Sequence, residues 1–196
     1  MTATWKNLLF VNYELEPSLV IPLIPDGTEL DMEDGRVFIS LVGLQFVDTR
    51  ILGIPAFLNR NFDEVNLRFY VKRHCGPQSK EGVVFIAEII KSRMVAWIAK
   101  LLYGENYSAR NINSQVIERD DVVTKVTYEI FMNGIRSEMS SIIESNLDEF
   151  RNTESNRGLV ERYWGYSSGR GGKTIEYEVE HPWWPIYGTS ESYIDF

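Results

Sequence analysis

Four polar side chains of different chemistry occupy alternate positions within the stretch Asn61–Lys72 of this 196-residue chain. They are a carboxyl, an amide, a guanidinium and a phenol: Glu64, Asn66, Arg68 and Tyr70. The positions between them are apolar: Val65, Leu67, Phe69 and Val71. A period of two predicts a β-strand with one polar face and one apolar face. Side chains two positions apart on a strand lie about 7 Å from each other, so the four groups would form a row about 20 Å long.

The chemistry open to this row depends on whether it faces a cavity or water. In an apolar cavity the pKa of Glu64 would rise, which suits a general acid or base. Arg68 could hold a substrate carboxylate through its planar fork of N–H groups, with Asn66 and Tyr70 as further hydrogen-bonding groups. Two alternatives remain open. The row is an ordinary solvated strand face, or Glu64 stays ionised in a structural ion pair with Arg68 or another cation.

The other reactive side chains are isolated in the sequence. The single cysteine, Cys75, excludes an internal disulfide and stands beside His74 in a predicted loop. Lys100 lies in an apolar helical segment, where a lysine can become nucleophilic but more often extends its ammonium group to water. The only other histidine is His181, and no spacing of Cys, His and carboxylates indicates a metal site. We therefore expect neither a metal nor a cofactor.

The composition is that of a globular protein with an acidic surface. Hydrophobic residues make up 44% and charged residues 24% of the chain, and the net charge is −8. No basic run favours nucleic acid as a partner. No apolar run approaches the roughly 20 residues that span a bilayer, and the N-terminus lacks the pattern of a secretion signal. The sequence therefore predicts a cytoplasmic protein that binds neither nucleic acid nor a membrane.

Strands must position most of this chemistry. Apolar runs bounded by turn signals predict eight of them, at about 8–14, 36–46, 61–72, 83–90, 107–119, 121–131, 135–143 and 173–180. Asp34-Gly35 is a turn signal, and Asn133-Gly134 is the strongest hairpin signal in the chain. The stretch His74–Glu81 is predicted to be a loop between two strands.

Helical segments are few. Pro17–Leu23 is predicted to form one or two turns, because proline suits the first helical position. Arg93–Tyr103, with Ser92 as its N-cap, is predicted to be a helix that is buried on nearly all sides, since it is apolar almost all round. A short helix is also predicted over Gly158–Tyr166, after a polar loop at 144–156. The segment His181–Pro185 is predicted to end regular structure.

These elements predict one α+β domain spanning residues 1–196. Its sheet would be mostly antiparallel and closed or strongly curved, with a few helices outside it. A chain of this length is large enough for one substantial core. No internal repeat or linker divides it.

Several short motifs recur in order along nearly the whole chain. They are Trp5…Leu9-Phe10-Val11, Asp31…Asp34-Gly35, Phe62–Val71, Gly82–Phe85, Ala99–Gly104 with Tyr107, Glu161-Arg162-Tyr163 and His181-Pro182-Trp183. Each motif is weak alone, but together they resemble the YqjF-like conserved uncharacterised family, which is similar in fold to acetoacetate decarboxylase. The resemblance implies a cone-shaped antiparallel β-barrel that is flanked by a few helices and encloses a cavity.

The resemblance also bears on the chemistry. Glu64 looks like the match of a cavity carboxylate in the decarboxylases, which favours the polar row as a lining of the lumen. The decarboxylases form a Schiff base through a lysine in a Gly-Tyr-Pro-Lys-Lys-like segment, and the similar place here, Gly104–Ser108, contains no lysine. Acetoacetate decarboxylase activity is therefore not expected. Tyr107 in that segment would either orient a carbonyl group by hydrogen bonding or fill the lumen with its ring.

The family pattern continues beyond Tyr193–Phe196, where this chain stops. The resemblance therefore implies either a single domain as it stands or one shortened at its C-terminus. A missing strand or helix would leave an edge or gap that a partner could fill, and a homo-oligomer is one such arrangement.

Three functions fit the sequence, and they differ in what the lumen does. In the first, the barrel binds a small keto or carboxylic ligand without Schiff-base chemistry. In the second, an enzyme uses Glu64 as general acid and base on a keto or enol acid held by Arg68. In the third, the barrel is packed solid and serves as a scaffold or interaction protein. An enclosed cavity would separate the third from the first two.

Overall fold

The computed structural model of the chain consists mostly of β-strands, with few helices. It describes residues 1–51, 53–56, 59–104, 106–120, 122–143 and 154–195. Within these residues the strands form two sheets, one of nine strands and one of four. The predicted excess of strands over helices is therefore confirmed.

The nine-stranded sheet is organised around four long antiparallel strands. They are β1 (Thr2–Leu15), β3 (Val37–Ile51), β5 (Phe62–Cys75) and β6 (Gln78–Ile90). The short strands are β2 (Glu29–Leu30), β4 (Ile54–Pro55), β7 (Tyr107–Ala109), β11 (Trp164–Ser168) and β12 (Thr174–Glu178). The order across the sheet is β1-β3-β5-β6-β11-β12, and β6 pairs in parallel with both β7 and β11.

The four-stranded sheet is antiparallel, in the order β13-β10-β9-β8. Its strands are β8 (Asn111–Arg119), β9 (Val122–Met132), β10 (Ile135–Ile143) and β13 (Thr189–Asp195). The described helices are α1 (Arg93–Tyr103) and α2 (Glu154–Val160), with 3-10 turns at Pro17–Leu19, Ile21–Leu23 and Arg170–Gly172.

Strand β5 is the centre of the larger sheet, as its alternating pattern predicts. It pairs with β3 on one side and β6 on the other. On its apolar face, Val65 packs in the core between the two sheets, next to Tyr128 and Met139. Phe69 and Val71 belong to a second cluster on the same face. The apolar face therefore carries the core, and the opposite face carries the polar row.

The predicted hairpin turns are confirmed. Asn133 and Gly134 have φ of 52° and 81°, and Asp34 and Gly35 have φ of 49° and 76°. Two consecutive positive φ values are what a type I′ turn requires, and they match the twist of the strands that the turn joins. The prediction of a loop over His74–Glu81 is wrong, because β5 and β6 continue to a tight turn. The ends of these strands are exposed and polar, so their sequence does not show the alternation of apolar and polar residues that predicts a strand.

Three further predictions of local structure are wrong. The predicted strand 107–119 is two strands in different sheets, with the backbone N–H of Arg110 bonded to the carbonyl of Ile90 between them. The predicted helix Gly158–Tyr166 is displaced: α2 ends at Val160, and Trp164–Ser168 is strand β11. Strand β13 was not predicted at all. In each case one strand pairs with a strand that does not adjoin it along the chain, since β7 and β11 pair with β6 and β13 pairs with β10. Tertiary pairing therefore overrides the local pattern.

Helix α1 has the predicted bounds but not the predicted burial. Ala96 is buried, whereas Met94 and Trp97 are exposed, at 52% and 67%. A helix that lies on a sheet buries only the face toward it. Among the described side chains of α1, Met94 and Trp97 are therefore apolar groups at the surface.

The predicted closed, cone-shaped barrel is not confirmed. Strand pairing in the described residues leaves two separate sheets, with a shared apolar core between them. Among the same residues, no helix combines the length and apolar character needed to cross a bilayer.

An ion-pair network ties the outer strand β12 to β5 and β6. Glu176 lies 3.1 Å from Arg73 and 2.6 Å from Lys80, and its side chain is 21% exposed. Burial opposes ionisation of this carboxyl, but the hydrogen bonds and charges of Lys80 and Arg73 outweigh it and hold the pKa of Glu176 below its usual value. The network therefore stabilises the fold while Glu176 is ionised.

Glu176→Gln is expected to lower the free energy of unfolding at pH 7 by about 1 kcal/mol, the upper end for partly exposed pairs. Because the folded-state pKa is depressed, this contribution is present above the unfolded-state pKa of about 4.3 and is lost as pH falls through the folded-state value. Urea unfolding from pH 7 to pH 3 should therefore show the wild type and variant converging in acid. Glu178→Gln, at an exposed position of the same strand, is the control, and equal losses in both variants would contradict the network.

Candidate functional site

The strand register brings a polar row together across five strands of the nine-stranded sheet. Directly opposed residues project to the same face. The paired positions are Asn12 with Ser40, Ser40 with Arg68, Asn66 with Glu88, and Glu88 with Tyr107. We call this surface the polar face: Asn12, Ser40, Glu64, Asn66, Arg68, Tyr70, Glu88 and Tyr107. It unites all five residues predicted from the sequence and adds three others.

The centre of the polar face is buried, while Arg68 and Tyr107 are half-buried and Asn12 is exposed at its edge. The alternative of a solvated strand face is therefore wrong for Glu64, Asn66 and Tyr70. Glu64 and Asn66 are each 4% exposed and Glu88 is 1% exposed. The Asn66 side-chain amide donates a hydrogen bond of 2.9 Å to a carboxylate oxygen of Glu64, while the Asn66 carbonyl oxygen Oδ1 has no hydrogen-bond partner within the described residues. Buried polar groups of this kind are unusual in a core that serves packing alone.

Tyr70 belongs to a hydrogen-bonded chain at one end of the polar face. The hydroxyl of Ser40 donates to Oδ1 of Asn12 at 2.5 Å and is hydrogen-bonded to the phenol of Tyr70. If Ser40 donates to Asn12, Tyr70 is the donor to Ser40. Tyr70 is 2% exposed and packs against Val83 and Leu159. Its hydroxyl is thus already used within the protein, and its role in binding a ligand stays a prediction.

Arg68 lies where the polar face contacts the C-terminal part of the chain. Its guanidinium donates a 3.0 Å hydrogen bond to the carbonyl of Leu159 and lies over the rings of Phe10 and Tyr70, at 5.0 and 5.7 Å. Its Nε has no hydrogen-bond partner in the described part of the chain, where Arg68 also forms no ion pair. No ion pair joins Arg68 to Glu64 among the described residues, so the alternative of a structural pair is not confirmed for this arginine.

A small cavity of about 40 Å³ borders Arg68. Its walls are largely aromatic: Trp5, Phe85, Trp164, Tyr177, His181 and Trp184. Typical ligand sites measure about 300–1,000 Å³. The cavity therefore accommodates only a very small molecule unless one of its walls moves.

The segment 181–185, which we call the aromatic strap, forms one wall of this cavity. His181 is stacked between Tyr163 and Trp184, with ring centroids 4.4 and 3.9 Å away, and Trp184 reaches Trp5 at 5.6 Å. The ring nitrogens of His181 contact the carbonyl oxygens of Pro182 and Arg162. His181 thus serves packing of the strap. No group of three or more His, Cys, Asp or Glu side chains in the described ranges is arranged to hold a metal ion.

The remaining reactive residues lie elsewhere. Cys75 is exposed at the end of β5, remote in register from Glu64. The side chain of Lys100 lies outside the described residues, as does Glu105. Glu88, Ser40 and Asn12 were missed by sequence reasoning. Glu88 carried a signal, since it is the one charged residue in the apolar run Val83–Ile90, and such a residue is expected to have a specific partner or role.

Comparison with known proteins places the chain in a family. Residues 2–195 match the model of the DUF2071 family, described as an uncharacterized conserved protein. The chain belongs to this family. Among DUF2071 relatives, the uncharacterized protein YqjF of Bacillus subtilis (strain 168) is 24% identical over 189 residues, which are 93% of this chain and 74% of YqjF. The resemblance inferred from the motifs is confirmed.

The DUF2071 chain is similar in fold to acetoacetate decarboxylase. The enzyme from Legionella pneumophila subsp. pneumophila str. Philadelphia 1 matches with a TM-score of 0.56 at 13% identity, covering 86% of this chain. The enduracididine biosynthesis enzyme MppR complexed with pyruvate matches with a TM-score of 0.56 at 11% identity, covering 90% of this chain. This chain spans only 60% and 63% of the lengths of those two enzymes. At such identities the likeness shows the fold alone.

Proposed function

We propose that this protein binds a small keto or carboxylic acid at the polar face, with Arg68 holding the carboxylate. The observation that carries the proposal is Arg68 itself, a guanidinium beside an aromatic-walled cavity with no carboxylate partner in the described part of the chain. Guanidinium and carboxylate are matched in geometry, and their hydrogen bonds are about twice as strong as neutral ones. A buried donor of this kind is stabilised when an anion satisfies it.

The other polar residues have subordinate roles in this proposal. Asn66, held by its bond to Glu64, presents its carbonyl oxygen Oδ1 to a hydroxyl or enol group of the ligand. Tyr107, next to Glu88 on β7, orients a ligand carbonyl. With no lysine in Gly104–Ser108, the ligand is held without a Schiff base. MppR, which shares the fold, was solved with pyruvate, and this supports the ligand class.

The proposal includes a finer picture of the architecture. The nine-stranded sheet is the curved wall of the cone-shaped barrel implied by the resemblance, and the polar face is its lining. The aromatic strap closes the wall above Arg68, so acids larger than the small cavity enter when the strap moves. A cytoplasmic location and assembly as a homo-oligomer belong to the same proposal.

The test compares three acids of increasing size, acetate, pyruvate and acetoacetate, by isothermal titration calorimetry. We expect saturable binding of at least one acid. Arg68→Met should weaken it by about 10- to 150-fold, the range for losing a charge-assisted hydrogen bond of 1.5–3 kcal/mol. Arg119→Met, on the exposed end of β8, is the matched control and should bind as the wild type does. Binding that survives Arg68→Met unchanged would contradict the role of Arg68. No binding of any acid would leave the packed scaffold as the function to pursue.

A second candidate is an enzyme that uses Glu64 as general acid and base on the bound keto or enol acid. The burial of Glu64 and its orientation by Asn66 favour it, because a fixed carboxyl in a water-poor site suits proton transfer. Proton exchange at C3 of pyruvate in deuterated water, followed by NMR, would report such a step. Glu64→Gln should then abolish the exchange while leaving pyruvate binding within a few-fold of the wild type, whereas exchange that persists would contradict a role for Glu64.

A further inference from the structure

A second, larger groove lies where one end of the nine-stranded sheet meets β8. Its volume is about 780 Å³, within the range of ligand sites. Strands β3 and β5 form one wall, β8 forms another, and the turn before α1 closes an end. Gln45 and Asp63 project to the side of the sheet opposite the polar face, whereas Phe46 and Phe62 project to the same side as the polar face at the end of these strands. The groove shares no lining residue with the cavity beside Arg68.

Half of the residues that line the groove have neutral hydrogen-bonding side chains: Gln45, Asn59, Asn61, Ser92, Asn113 and Ser114. Its two charged residues, Asp63 and Lys91, have opposite signs. Amides and hydroxyls both donate and accept hydrogen bonds, as do the hydroxyls of a sugar or polyol. The lining is therefore matched to a neutral, hydroxyl-rich molecule better than to an anion or a cation.

A preorganised network supports the inner wall of the groove. Gln45 receives a 2.6 Å hydrogen bond from Asn7 and donates one of 2.7 Å to Ser114, which joins the two sheets. Asn7 has φ of 53° at a bulge in β1, and its carbonyl accepts a 2.7 Å bond from the phenol of Tyr128. Burial, with the nearby charge of Asp63, raises the pKa of Tyr128, so this phenol stays a donor. Side chains held in this way lose little freedom when a ligand binds.

Several groups on the rim remain available to a ligand. Asn61 accepts from the backbone N–H of Asp48 through Oδ1 and has its amide N–H groups left over. Asp63 takes only a long, 3.5 Å bond from Gln45 on Oδ1, which leaves Oδ2 as an acceptor. Phe62, stacked on Phe46 with centroids 4.6 Å apart, offers an apolar surface next to these groups. Adjacent polar and apolar surfaces suit a sugar ring, which has hydroxyls at its edge and C–H groups on its faces.

From these features we infer that the groove is a binding site for a neutral polyhydroxylated ligand, a sugar or polyol. Asp63 accepts a hydrogen bond from one ligand hydroxyl, and Asn61 donates one to a neighbouring hydroxyl. Asn113 contacts the ligand from β8, and Phe62 packs against the sugar ring. The groove and the cavity beside Arg68 have no lining residue in common, so both can be occupied independently.

The test is a ¹H–¹⁵N NMR titration with glucose, N-acetylglucosamine, myo-inositol and maltotriose, each to 100 mM. We expect saturable shifts of the backbone amides at 61–63 and 112–114 with at least one probe, with a millimolar Kd. Tighter binding of maltotriose than of glucose would identify an oligosaccharide as the ligand, and equal binding a single ring; both support the site.

Variants test whether the probes bind in the groove. Asp63→Asn and Asn113→Ala should each weaken binding about tenfold, and the spectra themselves report whether each variant is folded. Asp195→Asn on β13 and Arg68→Met should leave the Kd unchanged, which separates this site from the proposed acid site. The inference is overturned if none of the four probes gives saturable shifts, or if both groove variants bind as the wild type does.

Discussion

Arg162→Met is expected to lower the free energy of unfolding by about 3 kcal/mol or more, because it removes the cation of a buried ion pair and leaves the carboxylate unpaired. The Arg162 guanidinium is 5% exposed and lies 2.6 Å from Asp31 and 3.0 Å from Glu81. Its Nε also donates to the carbonyl of Gly158, and its carbon Cζ lies 5.3 Å from the ring centre of Tyr70. Methionine retains the aliphatic stem but leaves Asp31, whose side chain is 16% exposed, without its counter-charge.

Urea unfolding followed by tryptophan fluorescence would measure the loss. Arg136→Met is the matched control, because Arg136 also contacts two carboxylates, Glu129 and Glu138, but is 53% exposed. Its unfolding midpoint should stay close to that of the wild type. The double variant Arg162→Met/Asp31→Asn should be more stable than Arg162→Met alone, since it removes the unpaired charge. Equal midpoints for the two single arginine variants would mean that Arg162 is held less tightly than its contacts indicate.

Arg162 also shows how far the sequence alone could lead. In the sequence, the adjacent charges of the motif Glu161-Arg162-Tyr163 predict an ion pair on a helix that locks the C-terminal segment to the barrel. Arg162 does fasten it, but from a connection between α2 and β11, and its partners are Asp31 and Glu81. The sequence could therefore predict an ion pair at this motif. The partners could not be predicted, because they lie about 80 and 130 positions away and depend on which strands pair.

For the candidate site, too, the sequence predicts the residues of one strand but not their partners on other strands. The alternation along β5 alone predicts that Glu64, Asn66, Arg68 and Tyr70 share a face, since a strand allows nothing else. The neighbours of this row depend on register, which places Glu88 beside Asn66 and Ser40 beside Arg68. A shift of one residue would have turned either neighbour to the other side of the sheet. Sequence reasoning therefore found the row on its own strand and missed its extension across the sheet.

Burial of the polar row does not follow from the alternation of β5, and in the sequence only the family resemblance favours it. A strand with one polar face usually exposes that face to water. Here Val42, Leu44 and Phe46 of β3 lie on the same face, with Trp5 and Phe10 of β1 packed against them. The polar row is thus set within apolar surroundings contributed by other strands. This setting strengthens hydrogen bonds to a ligand and raises the cost of leaving polar groups unpaired.

Gly43→Ala is the second change with a large expected effect, a loss of about 2–3 kcal/mol in the free energy of unfolding from overpacking. Gly43 lies on β3 opposite Leu9 and Val65, facing the smaller sheet. A Cβ at this position would lie 2.7 Å from the terminal methyl of Met139 and closer still to the ring of Tyr128. The Tyr128 ring cannot turn aside freely, because its hydroxyl is bonded to the carbonyl of Asn7.

The expected loss comes from the lack of space between the two sheets. Backbone conformation does not contribute, because Gly43 is not among the described glycines with a positive φ. A double-mutant cycle tests that cause. Tyr128→Leu should itself destabilise, but Gly43→Ala should cost at least 1 kcal/mol less in its presence, because the obstructing ring is gone. Gly158→Ala is the control, since its Cβ would meet nothing closer than 3.7 Å, and in a helix it should be neutral or slightly stabilising. Additive losses at 43 and 128 would show that the Tyr128 ring does not limit the approach of the two sheets at Gly43.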